Sequence, residues 1–542
     1  MLIPLLYCMA SFAGAFLVFV IQPMAAKAIL PVLGGTPAVW TGSMLFFQTC
    51  LLLAYLYAHM GARYLGVRKQ SLLHLGLMGT VLFLSFPIHY TISWDIVLLE
   101  RPVLWLLGVL LVSVGGPYLV VAGTAPLLQY WLACSSKQHA DNPYFLYAAS
   151  NAGSLAGLLS FPFLIEPVLS LAEQGDAYRY GYILLFMLLT LAVVRTFYTK
   201  HKALPSAARS DSVVKTPAVG EKLYWVVLAF VPASLLYGVT THITTDVASM
   251  PLFWVIPLAL YLLSFVFAFA SPPIGYRLAS RTHVPLLIAL FILFKFVTVV
   301  ATWFFAVHLL VFFVCALVCH GLLVERRPHS SYLTEFYLWM AFGGVLGGMF
   351  NTLLAPYLFN VVQEYAWMLV MTLFVRSDFR MIRDLAKRSG RAIRKAVLQF
   401  TGVGILVVGG YYVAHNYITP LPLSYVSVLL VFVFVWFCLD MGGVYRKSGE
   451  PHFPTAMAMT LFLLLLPWLK QESEEGNILL QERNFFGVST GDVDTRHNAH
   501  FFKHGTTTHG LQSLDPDKRL YPVSYYCLLY TSPSPRDSIA SG

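Results

Sequence analysis

The chain has 542 residues, a formal net charge of +10, 58% hydrophobic residues and only 11% charged ones. Soluble domains carry roughly 25% charged residues, so this depletion excludes an ordinary soluble protein and points to a helical integral membrane protein. The basic excess lies in loops between apolar runs and lacks interleaved aromatic residues, which argues against nucleic-acid binding.

The apolar runs are continuous for about 20 residues, the length a helix needs to cross a hydrocarbon core of about 30 Å. A β-barrel would instead alternate within segments of about 10 residues. Taken in chain order, spans are predicted near 3–22, 38–60, 71–90, 103–132, 144–168, 180–198, 223–243, 251–270, 283–302, 304–324, 332–357, 361–376, 397–417, 422–440 and 453–469. The first has no basic n-region and no cleavage site, and reads as a span rather than a signal peptide. The expected fold is thus an all-α polytopic membrane bundle of about 14–15 spans, followed by a small β lobe. Prolines 23, 31, 117, 126, 162 and 257 sit in or beside the apolar runs, where neighbouring helices can re-satisfy the carbonyls they free.

Loop charges set the orientation, because cytoplasmic loops collect Lys and Arg. Arg63, Arg68 and Lys69 mark one loop, Arg195 to Lys222 a second, Arg326 and Arg327 a third, and Arg376 to Lys395 a fourth. Each follows an even-numbered span, so the N-terminus is expected in the cytoplasm. With fifteen spans the C-terminal tail would lie outside; with one fewer it would lie inside.

An internal repeat runs through the membrane region. Tyr147, Gly153 and Gly157 match Tyr337, Gly343 and Gly347, and Pro37-A-V-Trp40 matches Pro251-L-F-Trp254. The glycine pairs are small-xxx-small motifs, which let helix backbones approach closely. Duplicated bundles are the usual architecture of secondary transporters. Residues 1–200 and 223–376 are expected to be the two repeats, separated by a basic loop at 201–222. A second basic loop, 377–396, leads to further spans over 397–470.

Polar residues inside spans are costly and mark functional sites by default. Lys27, Glu166, Lys295 and Asp440 qualify, but the densest run is Thr240 to Asp246. His242, Thr245 and Asp246 form the candidate intramembrane site, for a polyamine-like cation or a proton; the alternative is an interfacial helix cap. Cys315, Cys319 and His320 supply too few ligands for a metal and read as small packing residues. No metal site and no disulfide framework is expected.

After the spans comes a polar segment with the run H-G-T-T-T-H-G-L-Q at 504–512. Other segments carry the same signature: I-Q-P-M-A-A-K-A-I-L-P-V-L-G-G-T-P-A-V-W at 21–40, A-P-L-L-Q-Y-W at 125–131, N-P-Y-F-L-Y-A-A-S-N-A-G-S at 142–154, and R-R-P-H-S-S-Y-L-T-E-F-Y-L-W-M-A-F-G-G-V-L-G-G at 326–348. Together they resemble the bacterial membrane-fused spermidine synthase-like proteins, across residues 1–526. In that family a transporter-like membrane region precedes a polyamine synthase-like domain.

The resemblance implies a bacterial inner-membrane protein with the lipid bilayer and a polyamine or diamine as partners. It implies aminopropyl transfer from decarboxylated S-adenosylmethionine to putrescine in a complete parent. Residues 471–526 would be the N-terminal β lobe alone, with strands at 485–489 and 500–503 and positive-φ glycines at Gly505 and Gly510. His504, Gly505, His509, Gln512, Tyr525 and Tyr526 would face substrate. His504 stands where soluble synthases carry an acidic residue, a poor match for a cationic substrate. His504, His509 and Asp515 otherwise read as turn-forming polar residues. A Gly-rich turn after a strand and an acidic ribose ligand, together with an acidic base for the attacking amine, do not follow Tyr526. No cofactor and no catalytic residue is therefore expected in this chain, which reads as truncated and inactive in transfer. Residues 527–542 leave the family pattern and read as foreign sequence joined to the gene. The alternative function is a multi-span transporter for polyamine-like or other small cations.

Overall fold

In the computed structural model of the chain, the described residues are 2–33, 37–88, 90, 102–135, 145–198, 216–246, 254–270, 272–296, 302–329, 332–376, 478–484, 487–494, 497–504 and 507–519. The helices among them are α1 (Leu2–Leu33), α2 (Pro37–Tyr64), α3 (Gly66–Leu84), α4 (Pro102–Leu110), α5 (Gly116–Ser135), α6 (Phe145–Ser160) and α7 (Leu171–Tyr198). After the basic loop come α8 (Val219–Asp246), α9 (Val255–Phe269), α10 (Tyr276–Phe296), α11 (Thr302–Glu325), α12 (Leu333–Met349) and α13 (Glu364–Arg376). Helices α4 and α5 are one continuous segment joined by a π turn, Leu111–Gly115. Each half therefore contributes six helical segments among the described residues. Eight of the described helices are long and apolar enough to span a bilayer by themselves. The spans expected at 397–417, 422–440 and 453–469 lie outside the described residues.

Prolines explain the irregular turns. The π turns Leu111–Gly115, Phe161–Ile165 and Phe350–Leu354 each end two residues before a proline, Pro117, Pro167 and Pro356 respectively. Proline lacks an N–H and its ring clashes with the carbonyl four residues back. A wider turn at that point relieves the clash without breaking the helix. Helices α6 and α12 carry this device in the same place, and each ends in a short helical turn beyond it, Glu166–Val168 and Ala355–Leu358.

The glycine-rich helices α6 and α12 pack alike, each along one long partner helix. Helix α6 lies along α1, and α12 lies along α8; these are the two most extensive helix contacts in the bundle. A Cβ at Gly153 or Gly157 would run into the backbone carbonyls of Phe12 and Phe16 on α1. One at Gly343 or Gly347 would meet those of Val226 and Phe230 on α8. The four glycines thus set both close helix approaches. A third register was not anticipated: Gly66-x-Arg68-x-x-Ser71-x-x-His74 opens α3, and Gly275-x-Arg277-x-x-Ser280-x-x-His283 opens α10. Gly66 and Gly275 both have positive φ, 67° and 69°, a conformation that favours glycine.

Each half has its own apolar core. The second core also takes in Trp40 and Met44 of α2 and Leu158 of α6, so the halves share buried surface. Between halves, α2 packs on α12 and its counterpart α9 packs on α6. These two contacts join the halves.

The C-terminal segment is a four-stranded antiparallel meander of order β1 (Ile478–Asn484), β2 (Gly487–Asp494), β3 (Ala499–His504) and β4 (Thr507–Ser513). The strand expected first, at 485–489, is instead the second: β1 precedes it, and 485–486 lie outside the described residues. Gly510 does not occupy a turn. It sits in β4 opposite Phe502, and a Cβ there would lie 3.4 Å from that of Phe502. Among the described residues of the sheet, positive φ falls at Gly487 and Asn498; Gly505 lies outside them.

Candidate functional site at the interface of the two halves

Helix α2 presents Trp40, Gln48, Tyr55 and His59 at one- and two-turn spacing, so they share a face. That face meets the second half. Trp40 stacks on Trp254 with ring centroids 4.8 Å apart. Gln48 accepts a hydrogen bond from the Tyr237 hydroxyl at 3.2 Å. Tyr55 packs edge-on against Tyr337 at 6.3 Å, and His59 hydrogen-bonds Thr334 at 2.9 Å. Tyr147 of α6 stacks on Tyr337 of α12 at 5.7 Å and touches Phe269 of α9 at 4.7 Å.

Two of these contacts join duplicated positions to each other: Trp40 with Trp254, and Tyr147 with Tyr337. The indole N–H groups of Trp40 and Trp254 are buried and have no hydrogen-bond partner among the described residues. Two such donors side by side leave an unmet polar demand at the centre of the interface.

The helices lining this interface are almost free of charge. Among the residues of α2, α6, α9 and α12, only Arg63 and Glu335 are charged, and both sit at helix ends. Glu335 is tied to Lys222 of α8 by an ion pair and accepts a longer bond, 3.4 Å, from the Trp339 indole. At the opposite end Lys27 pairs with Glu166 at 2.6 Å, with both side chains about a third or more exposed. The two residues read singly as intramembrane polar groups are thus each other's partners.

Of the candidate site at His242, Thr245 and Asp246, only the His242 side chain is among those described. His242 packs its ring against His308 at 4.7 Å and Tyr365 at 5.6 Å, and the Tyr365 hydroxyl hydrogen-bonds His308 Nδ1 at 3.1 Å. Thr240 and Thr244 do not join it: their hydroxyls donate to the carbonyls of Leu236 and Thr240 one turn back, each at 2.6 Å. The side chains of Thr245 and Asp246 lie outside the described residues, as do Lys295's and all of Asp440. His308 and Tyr365 were not read from sequence: His308 is a lone polar residue in an apolar run, and Tyr365 follows Gln363 and Glu364 at the start of a helix.

Elsewhere in the bundle, the Cys315–Cys319–His320 group divides among neighbours. Cys315 accepts from the Thr372 hydroxyl at 3.9 Å, and His320 hydrogen-bonds Ser264 at 2.8 Å. Among the described residues no group of three or more His, Cys, Asp or Glu side chains is placed to hold a metal ion.

In the tail, His504 and His509 come together with ring centroids 6.0 Å apart, and His504 fills the space over Gly487. Gln512 pairs with His500 toward the other end of the β3–β4 ladder. The structure thus separates Gln512 from the two histidines. Gly505, Tyr525 and Tyr526 lie outside the described residues.

No family model matches the chain, and no curated protein matches it. Among solved structures, the crystal structure of the human organic anion transporter MFSD10 (TETRAN) aligns at a TM-score of 0.40 and 15% identity, covering 68% of this chain and 98% of that one.

Proposed function

We propose that the membrane bundle is a carrier that passes small organic cations, amines of the polyamine class first among them, between its two halves. One observation carries this reading: residues 2–198 and 219–376 meet across an aromatic interface poor in charge, where Trp40 stacks on Trp254 and Tyr147 on Tyr337. Such an interface can open toward either face by rocking one half against the other, the motion attributed to duplicated transporters. The aromatic faces of Trp40, Trp254, Tyr55, Tyr147 and Tyr337 suit a cation through its attraction to ring quadrupoles.

The test is uptake by the full chain in liposomes, with labelled putrescine and spermidine and a panel of organic anions for contrast. Amine uptake that saturates, and that is impaired in Trp40→Ala and Trp254→Ala, is the expected result. Uptake of anions alone would sink the cation assignment, and no uptake of any solute would sink the carrier reading.

A second reading, aminopropyl transfer by a complete parent, is supported by the sequence resemblance of the tail and by its four-stranded sheet. It is tested by assaying that parent with decarboxylated S-adenosylmethionine and putrescine, with and without the membrane region.

A further inference from the structure

Arg483 of β1 leaves the sheet and enters the membrane bundle. Its guanidinium forms a two-pronged ion pair with Glu364 at the start of α13, Nη2 to Oε1 at 2.7 Å and Nη1 to Oε2 at 3.0 Å. The same Nη1 donates to the Val361 carbonyl at 2.9 Å and approaches that of Phe359 at 3.5 Å. Both side chains are nearly buried, 7% and 2% exposed. A fork-on-carboxylate pair with added carbonyl contacts is geometrically specific. An unpaired charge at that depth would be strongly unfavourable. This is a built joint between the sheet and the turn that links α12 to α13.

That turn has a definite side. The basic ends of the bundle share one face: His59 near Arg63 hydrogen-bonds Thr334, the Trp225 indole donates to the Arg326 carbonyl, and Arg376 donates to Ser280. Helix α12 starts at this face, six residues or fewer beyond Arg327, and runs through the bundle to Leu358. Glu364 therefore sits at the opposite end. The other described carboxylates there are Glu166, Glu173 and Asp176, against Lys27, Arg179 and Lys295. By the rule that Lys and Arg mark the cytoplasmic side, the Arg483 joint is on the other.

We infer that the C-terminal sheet is an extracytoplasmic cap, seated on the α12–α13 turn by Arg483. Its neighbours there are functional candidates: Tyr365 follows Glu364 directly and carries the hydroxyl bonded to His308. The cap is thus positioned to govern the outer His242–His308–Tyr365 cluster. It also separates the tail, and its paired His504 and His509, from the cytosol. A nucleotide-derived cosubstrate held in the cytosol would be out of reach of any domain built on this sheet. The inference does not depend on the carrier reading.

Two measurements on the full chain test it, with Cys438 and Cys527 changed to Ser. Leu479→Cys places a thiol on β1 at a residue 63% exposed, and Tyr64→Cys places one at the basic end of α2 at a residue 70% exposed. With a membrane-impermeant maleimide, Leu479→Cys should react in intact spheroplasts and Tyr64→Cys only in inside-out vesicles. Reaction of both from the same side, or of Leu479→Cys only from the inside, overturns the placement. For the joint, Arg483→Ala should make the sheet at least roughly fivefold more rapidly cleaved by protease added outside, a shift within the range expected for a lost buried partner. Arg483→Lys keeps the charge without the fork and should be intermediate; it also serves if the alanine variant does not accumulate. Unchanged cleavage in both variants overturns the anchoring role of Arg483.

Discussion

At the scale of single residues, the glycines of the duplicated motif and the paired aromatics bear different loads. Gly153 and Gly343 face backbone, which cannot move aside as a side chain can. Gly153→Leu and Gly343→Leu should each destabilise the bundle by about 1–3 kcal/mol, the usual penalty of overpacking, read as an earlier thermal transition in detergent. Gly344 faces open space, so Gly344→Ala should leave the transition in place. Trp40 and Trp254 should show up in transport instead. If each ring contributes a cation contact of about 0.5–2 kcal/mol, its loss weakens amine binding roughly 2- to 30-fold, measured as KM in uptake. The glycines were legible in sequence because small-xxx-small spacing is a direct record of close approach. The tryptophans were legible as a repeat, but not as partners. A shared motif says that two residues sit in similar sequence settings; only the fold says that they touch.

At the scale of elements, the end of each helix is where sequence and surroundings negotiate. The start of α7 is a capping box: Ser170 donates its N–H and hydroxyl to Glu173 at 2.8 and 2.7 Å, and the Glu173 N–H donates back to the Ser170 hydroxyl at 3.4 Å. Ser170→Ala should cost about 0.5–2 kcal/mol, measurable by the same thermal transition. The contact of α2 with α12 at His59 and Thr334 is a candidate closure at the basic face. His59→Cys with Thr334→Cys, oxidised, should arrest uptake, and reduction should restore it; uptake unaffected by the cross-link would mean that these helices do not separate. The repeat of Gly66 and Gly275 at the starts of α3 and α10 escaped sequence reading for a physical reason. Loops of unequal length shift the offset between halves from helix to helix, so no single offset aligns them all. Strand β1 escaped as well, because Ile478–Asn484 lacks the alternation that marks a half-buried strand; most of it is exposed. Its one inward commitment, Arg483, is invisible without the bundle it enters.

At the scale of the whole molecule, the helical membrane class followed from composition and the length of the apolar runs. The meeting of His242 with His308 and Tyr365 did not, since it joins three helices distant in sequence. If amines are the solutes, adding spermidine to the purified chain should raise its thermal transition in proportion to the logarithm of concentration above Kd, and the doubled variant Trp40→Ala with Trp254→Ala should lose that rise. The helical segments of each half, six among the described residues, have a consequence of another kind. If all six cross the bilayer, a half begins and ends on the same side and can be inserted without the other in the right orientation. Severing the chain within 199–215 and producing the two fragments from separate messages should yield a reassembled pair, held along the contacts of α2 with α12 and of α6 with α9. The covalent link between the halves would then be a matter of stoichiometry, and a single ancestral half pairing with its own twin would have been a complete machine.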